Sequence, residues 1–310
     1  MKHTIHRFIV LSQGTLLILL FSATLGWSQQ DPLYALYLNN PLLINPAYTG
    51  INNNLTVFAG YRNQWAGFDG NPTTLNAGGH ISLFQNKMAA GLVIVSDRLG
   101  ENTNTQVTAS YAYKIRLNAG TTLAFGMQAG FLNYKVDPSL LNLQDLTDPA
   151  FTPLNQMTPS LGAGVMVKSD KFLVGISVPR MLNGTLDLGG QPIKIYQQHY
   201  YIMGSYLFFL SERILFKPTT LLKAVQGSPL STDLNLNLII DRKYVAGVYT
   251  RNFSAFGVLA QVTFLDKYKL AYALEVPTNK SVGTRFVTNE IMLSMRLSAL
   301  SFHDAADSGF

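Results

Sequence analysis

Cysteine is absent from all 310 residues, so disulfides, cysteine-based metal sites and lipidation of an N-terminal cysteine are excluded. Charge is sparse as well: Asp, Glu, Lys and Arg make up 13% of the chain, against roughly a quarter in ordinary soluble domains. Beyond the first residues, no apolar run is long enough to cross a bilayer as a helix. The one such run is at the start. Lys2 and Arg7 precede an interrupted apolar stretch, Phe8–Leu25, and Gly26 and Ser28 then supply small residues before Gln29. That order describes a secretory signal peptide over residues 1–28. Removing Lys2 and Arg7 from the 23 basic residues leaves 21 against 17 acidic ones, a net charge of +4 that gives no reason to expect nucleic acid.

What the chain has in quantity is two-residue alternation. Leu234, Leu236 and Leu238 alternate with Asn235 and Asn237. Leu123, Phe125, Met127 and Phe131 share one face, opposite Thr122, Ala124, Gly126, Gln128 and Gly130. Successive strand side chains point to opposite faces, so each segment has a greasy side and a small or polar one. With so little charge, this reads as an all-β transmembrane antiparallel β-barrel, apolar toward lipid and polar toward the lumen. Export without a helical anchor then places it in the outer membrane of a Gram-negative cell.

The pattern predicts about 14 strands, at 55–62, 73–84, 88–96, 104–117, 121–134, 160–168, 171–178, 195–209, 214–225, 231–240, 244–250, 254–264, 268–276 and 288–299. The connections test that count, because such barrels carry short periplasmic turns and longer outer loops. Gln85–Lys87, Asn118–Gly120, Ser169–Asp170, Leu210–Arg213, Asp241–Lys243 and Leu265–Lys267 are short. Asn63–Pro72, Val136–Pro159, Pro179–Lys194 and Pro277–Val287 are long, and Arg251–Phe253 is an exception. Both ends of the mature chain are thereby expected in the periplasm. Val136–Pro159, rich in proline and carrying Asp137, Asp145 and Asp148, is expected as an exposed loop rather than a calcium site, since its spacing matches no calcium-loop pattern.

Alternation puts Arg62, Lys114, Arg116, Lys168, Lys217, Lys223, Arg251 and Arg296 on polar faces, with Asp233, Glu275 and Glu290. A basic lumen would favour anions or an acidic inserted segment. The simpler expectation is that many of these side chains sit at strand ends and meet headgroups or water. His80 and Ser82 share a strand face and raise the thought of a hydrolase. A base also needs an orienting partner and an oxyanion site, and no recognisable motif supplies them. No nucleotide loop, dinucleotide glycine pattern or metal-ligand cluster is present in the sequence, so neither an enzyme nor a cofactor is expected.

Residues 29–54 precede the first strand, and Asp31–Gly50 reads DPLYALYLNNPLLINPAYTG. Its Asn-Pro junctions resist both helix and central strand. Yet it is too aromatic and apolar to float free, so it is expected to dock: inside the barrel, along its rim or on another protein. The first hairpin follows with Tyr61-Arg62-Asn63-Gln64-Trp65-Ala66-Gly67-Phe68, in which Trp65 and Phe68 also suit the membrane edge.

These two blocks resemble the PorP/SprF family of the type IX secretion system of Bacteroidetes. The matching positions are Asp31, Pro32, Tyr34, Tyr37, Asn40, Pro41, Asn45, Pro46, Ala47, Tyr48 and Gly50, continued by Tyr61, Arg62, Gln64, Trp65, Gly67 and Phe68. Glu290–Leu297 is similar to the family's closing strand; the tail 300–310 departs from it, because members tend to stop at an aromatic after that strand. The resemblance implies a non-enzymatic outer-membrane component of the secretion and gliding apparatus, with a barrel over 55–299. Its implied partners are a secreted surface protein bearing a type IX C-terminal signal domain, periplasmic ring and lipoprotein components, and outer-membrane lipid. Tyr34, Tyr37, Asn40, Pro41, Asn45, Pro46, Tyr48, Trp65 and Phe68 are the expected partner-binding residues. The alternative is a porin-like diffusion channel with a mildly basic lumen.

Overall fold

A computed structural model describes residues 34–137, 153–182, 184–188, 191–194, 197–278, 284–304 and 309–310. The first half of the wall is β1 (Leu55–Asn63), β2 (Thr73–Leu83), β3 (Met88–Leu99), β4 (Asn102–Asn118), β5 (Thr121–Val136), β6 (Leu154–Ser169) and β7 (Phe172–Val178). A separate hairpin, β8 (Thr185–Leu188) with β9 (Gln191–Lys194), interrupts the next connection. The second half is β10 (His199–Tyr206), β12 (Ile214–Val225), β13 (Ser231–Ile240), β14 (Tyr244–Arg251), β15 (Ala255–Phe264), β16 (Tyr268–Pro277) and β17 (Thr288–Leu297). The two-residue β11 (Phe208–Phe209) extends the edge of β12. Neighbours in sequence pair antiparallel, and β1 pairs along its whole length with both β2 and β17, which closes a 14-strand barrel. No helix among the described residues is long and apolar enough to cross a membrane.

Alternation assigns the faces as expected. Leu236 and Leu238 are exposed on the outer wall while Asn235 and Asn237 are buried inside. Phe125 and Met127 point out, Ala124 and Gly126 point in. At the short-turn end, Asp241-Arg242 and Leu265-Asp266 each carry two successive positive φ angles, the geometry whose twist matches a two-residue hairpin.

The strands differ from expectation mainly in length. β5 reaches Val136 and β6 starts at Leu154, so both ends of the expected loop Val136–Pro159 are strand, and 138–152 lie outside the described residues. Pro159 pairs with Phe131 of β5, whereas β7 joins β6 only from Ala163 onward, so the missing N–H falls on an edge β7 does not cover. β3 and β4 also grow toward each other, leaving Gly100-Glu101 as a second short connection at the long-loop end. The signal peptide, Asp31 and Pro32, and Asp145 and Asp148 lie outside the described residues.

The interior departs most from a polar pore. The protein's hydrophobic core lies inside the barrel, where Tyr37, Leu42, Ile44 and Tyr48 meet Phe58, Val93, Met166, Leu173, Tyr201 and Met203 of the wall. Both faces of several strands are therefore apolar: Val57 faces out while Phe58 faces in.

Candidate functional site

The lumen is filled by the chain's own segment 34–54. Its two Asn-Pro junctions hold Asn40 and Asn45 outside the helical region (φ −147° and −142°), and each proline opens a single 3₁₀ turn, Pro41–Leu43 and Pro46–Tyr48. A third turn, Leu36–Leu38, precedes them. Such short turns leave main-chain groups without helical partners, and the wall supplies partners. Asn45 caps its own turn by accepting from the Ala47 N–H at 2.9 Å. Its Nδ2 donates to the Val165 and Ile176 carbonyls at 3.3 and 3.2 Å, and Ser177 donates to the Ile44 carbonyl at 2.7 Å. The wall is cut away to admit it. A Cβ on Gly126 would lie 2.1 Å from the Ala47 nitrogen, and one on Gly164 would lie 2.1 Å from Asn45 Oδ1.

Toward the short-turn end the plug is gripped by polar wall residues. Thr49 donates to Ser110 Oγ at 2.9 Å, and the Gly50 N–H donates to His80 Nδ1 at 3.0 Å. Lys114 donates to the Gly50 carbonyl, to Asn53 Oδ1 at 2.7 Å and to Ser82 Oγ at 2.8 Å. His80 and Ser82, weighed as a hydrolase pair, both act here as anchors of the plug.

Toward the long-loop end a buried chain of charges takes over. Glu290 accepts from the Ala35 N–H at 2.6 Å and the Leu36 N–H at 3.0 Å, and pairs with Arg62 at 3.2 Å. Arg62 reaches Glu275 at 3.5 Å, Glu275 reaches Arg251 at 3.3 Å, and Arg251 reaches Asp233 at 3.1 Å. Arg251 also donates to the Tyr34 carbonyl at 3.1 Å, and Asn235 donates to the Tyr37 hydroxyl at 2.8 Å. Alternating signs compensate one another where desolvation would make a lone charge costly. Arg62, Arg251 and Lys114 therefore do not meet headgroups or bulk water, contrary to the simpler expectation; Arg116, near the short-turn end of β4, is exposed.

The described parts of the tail, 300–304 and 309–310, lie at the short-turn mouth. His303 Nδ1 accepts from the Ala299 N–H at 3.1 Å, and its Nε2 lies 2.8 Å from the Ser82 carbonyl. The Asp304 N–H donates to the Asn53 carbonyl at 2.9 Å. Phe310 is buried; Asn52 donates to its main-chain oxygen at 2.8 Å, Lys217 donates to the Gly309 carbonyl at 3.0 Å, and the ammonium sits 5.7 Å from the Phe310 ring centre. Cavities of about 620 Å³ on the long-loop side and about 270 Å³ on the short-turn side flank the plug.

The nine expected partner-binding residues fall into two groups. Tyr34, Tyr37, Asn40, Pro41, Asn45, Pro46 and Tyr48 are buried in the plug, where the wall covers them. Residues 34–48 thus lie in the bore and not along the short-turn rim, and Tyr34 lies beside Arg251, the last residue of β14, at the opposite end. Trp65 and Phe68 sit at the long-loop rim with ring centres 6.4 Å apart, and Phe68 stacks edge-on against Phe286 at 5.5 Å. Trp65 and Tyr34 both line the larger cavity. Alternation identified every member of the charge chain; that they join each other and the plug is a property of barrel closure. Among the described residues no group of three or more His, Asp or Glu is placed to hold a metal ion.

The model of a family described as type IX secretion system membrane protein PorP/SprF matches residues 27–295. No curated protein is matched by the chain. Among solved structures, the outer membrane protein Omp33 of Acinetobacter baumannii is similar at 8% identity, over 80% of this chain and 100% of that one, with a TM-score of 0.48. The monoaromatic hydrocarbon channel CymD is similar at 11% identity over 87% and 94%, with a TM-score of 0.49. A deletion mutant of the monoaromatic hydrocarbon channel TodX is similar at 9% identity over 84% and 94%, with a TM-score of 0.50. At these identities the likeness is one of fold alone, a β-barrel; the family match is what makes the chain a membrane protein.

Proposed function

The chain belongs to the PorP/SprF family of type IX secretion system membrane proteins, and from that premise we propose that it is a non-enzymatic outer-membrane component that helps secrete or anchor a surface protein. The observation that supports this over a diffusion channel is the plugged lumen. A passive diffusion pore keeps a water-filled bore, whereas here an apolar core and a buried charge chain occupy it. The barrel then serves as a rigid membrane frame that presents its two ends to partners.

On this reading the client is a secreted protein with a type IX C-terminal signal domain, a gliding adhesin for example, and it meets the long-loop end. Trp65 and Phe68 stand there with Phe286. Periplasmic ring and lipoprotein components meet the short turns and the tail. The seven plug residues reach a partner only when the plug leaves the lumen. The test is a mild-detergent purification of the tagged protein from its own cells, with mass spectrometry of what stays attached. Stoichiometric recovery of a signal-domain protein or of ring components supports the proposal; a barrel that emerges alone and conducts ions in a planar bilayer defeats it.

The second reading, a gated channel, draws on the two cavities that flank the plug. It requires the plug to move, and it is separated from the first by conductance of the unmodified protein.

A further inference from the structure

On the long-loop side of the plug, the larger cavity runs from Leu42 and Ile44 of the plug to Trp65 and Pro72 among the rim connections. Its charged lining residues are already committed to protein groups. Asp97 accepts from the Thr74 hydroxyl at 2.6 Å, Arg180 donates to Gln106 Oε1 at 3.2 Å, and Arg251 pairs with Glu275 at 3.3 Å. What is uncommitted is a row of amides. Thr108 and Ser110 of β4 are buried inward, so alternation turns Asn102, Asn104 and Gln106 to the same side, and all three line the cavity. Asn102 Oδ1 accepts from the Tyr134 hydroxyl at 3.2 Å, and Gln106 Oε1 accepts from Arg180. Among the described residues the amide nitrogens of both have no hydrogen-bond partner. Asn104 has none at either end, and its Oδ1 is buried.

We infer that this cavity binds an extended, uncharged segment of a partner polypeptide, laid along the amide row of β4. The spacing selects peptide. Inward side chains of a strand repeat every two residues, about 6.8 Å, and an extended peptide presents main-chain groups to one side at the same interval. Three amides therefore meet successive main-chain groups over about 13 Å, and an amide carries both the donor and the acceptor that a peptide group requires. The bore already reads main chain with wall side chains. Glu290 takes the Ala35 and Leu36 N–H groups, Arg251 the Tyr34 carbonyl, Ser177 the Ile44 carbonyl and His80 the Gly50 N–H. The same economy, carried up the bore, serves a second strand of peptide. A charged segment would give up hydration to enter and find the fixed charges engaged. Val95 and Leu132, the cross-strand neighbours of Gln106, line the cavity and give apolar side chains of the segment a surface.

This inference rests on the proposed function for the source of the segment, the secreted client. The photo-cross-linker p-benzoylphenylalanine is placed, one position at a time, at Asn102, Asn104 or Gln106 of the full protein in its own cells. Outward Thr105 and Val107 serve as controls, and adducts are mapped by mass spectrometry after illumination. Heat-shifted gel mobility selects the folded variants, and any two inward positions fix the order. The inward positions are expected to attach to one stretch of one polypeptide, at points that advance by about two residues per step. Asn104→Leu is expected to cut the yield of the adduct at position 102 about fivefold, and Thr105→Leu to leave it within about twofold. Adducts of glycan or lipid mass, attachment only within this chain, or attachment points without that order would overturn the inference. So would the absence of any adduct, the same adducts from the outward positions, or equal yields from the two leucine variants. A client that copurifies with the wild-type protein but attaches elsewhere removes the site and leaves the proposed function standing. A protein that neither copurifies with a client nor forms adducts loses both.

Discussion

Glu290 is the side chain on which the upper end of the plug hangs. It takes two successive plug N–H groups and one guanidinium, so its loss strips three donors at once. Breaking a buried pair by removing one partner costs about 3–5 kcal/mol, because the other charge is left desolvated. Glu290→Ala is therefore expected to lower the midpoint of chemical denaturation and to expose Ala35–Leu38 to added protease. An unchanged midpoint and cleavage pattern would show that the charge chain does not hold the plug. At the wall, Gly126→Ala puts a methyl group where the Ala47 nitrogen now lies. Overpacking of this kind costs about 1–3 kcal/mol. The barrel should still assemble and the segment around Ala47 should become protease-sensitive; a protected segment would mean that the close approach is not required. Gly126 was visible in the sequence only as a small residue opposite an apolar face, since Ala47, for which it makes room, lies about 80 positions earlier in the chain.

Among the elements, the plug and the tail are separable from the wall. The ring is sealed by β1 against β17, and neither element takes part in that pairing. Deleting 34–50 is expected to give a folded barrel that passes ions in a planar bilayer, while the complete protein does not. Silence from the deletion would mean that the wall alone blocks the bore. Removing 300–310 takes away the contacts of His303, Asp304 and Phe310 with Ser82, Asn53 and Asn52. Each such hydrogen bond contributes roughly 1 kcal/mol net. The shortened protein is expected to insert normally and to unfold on SDS gels at a lower temperature; failure to insert would give the tail a part in assembly. The strands themselves were legible, because a period of two with an apolar outer face, in a chain this poor in charge, suits a membrane barrel and little else. Their ends were less so: Pro159 marks a loop by its chemistry, yet it lies within β6 where one edge is uncovered.

For the whole molecule, the proposed role divides labour between two ends. Trp65→Ala with Phe68→Ala is expected to reduce recovery of the surface client without altering the heat-shifted mobility of the barrel. Undiminished recovery would move the client contact to another loop. The barrel, its strand number, its outer face and the inward cluster of charges all follow from local alternation, which each stretch of ten residues states independently of the rest. The Asn-Pro segment likewise announces that it must bury its side chains without regular structure. Where it buries them is a different kind of fact. Rim, bore and partner surface offer the same apolar contact to the segment, and the choice among them rests on residues far apart in the chain. Gly126 and Gly164 open the space, Glu290 and Arg251 meet the main chain at one end, and His80 and Lys114 meet it at the other. Closure of the ring between Leu55 and Leu297 brings those groups to a common interior, and so a chain patterned as a pore folds as a filled one.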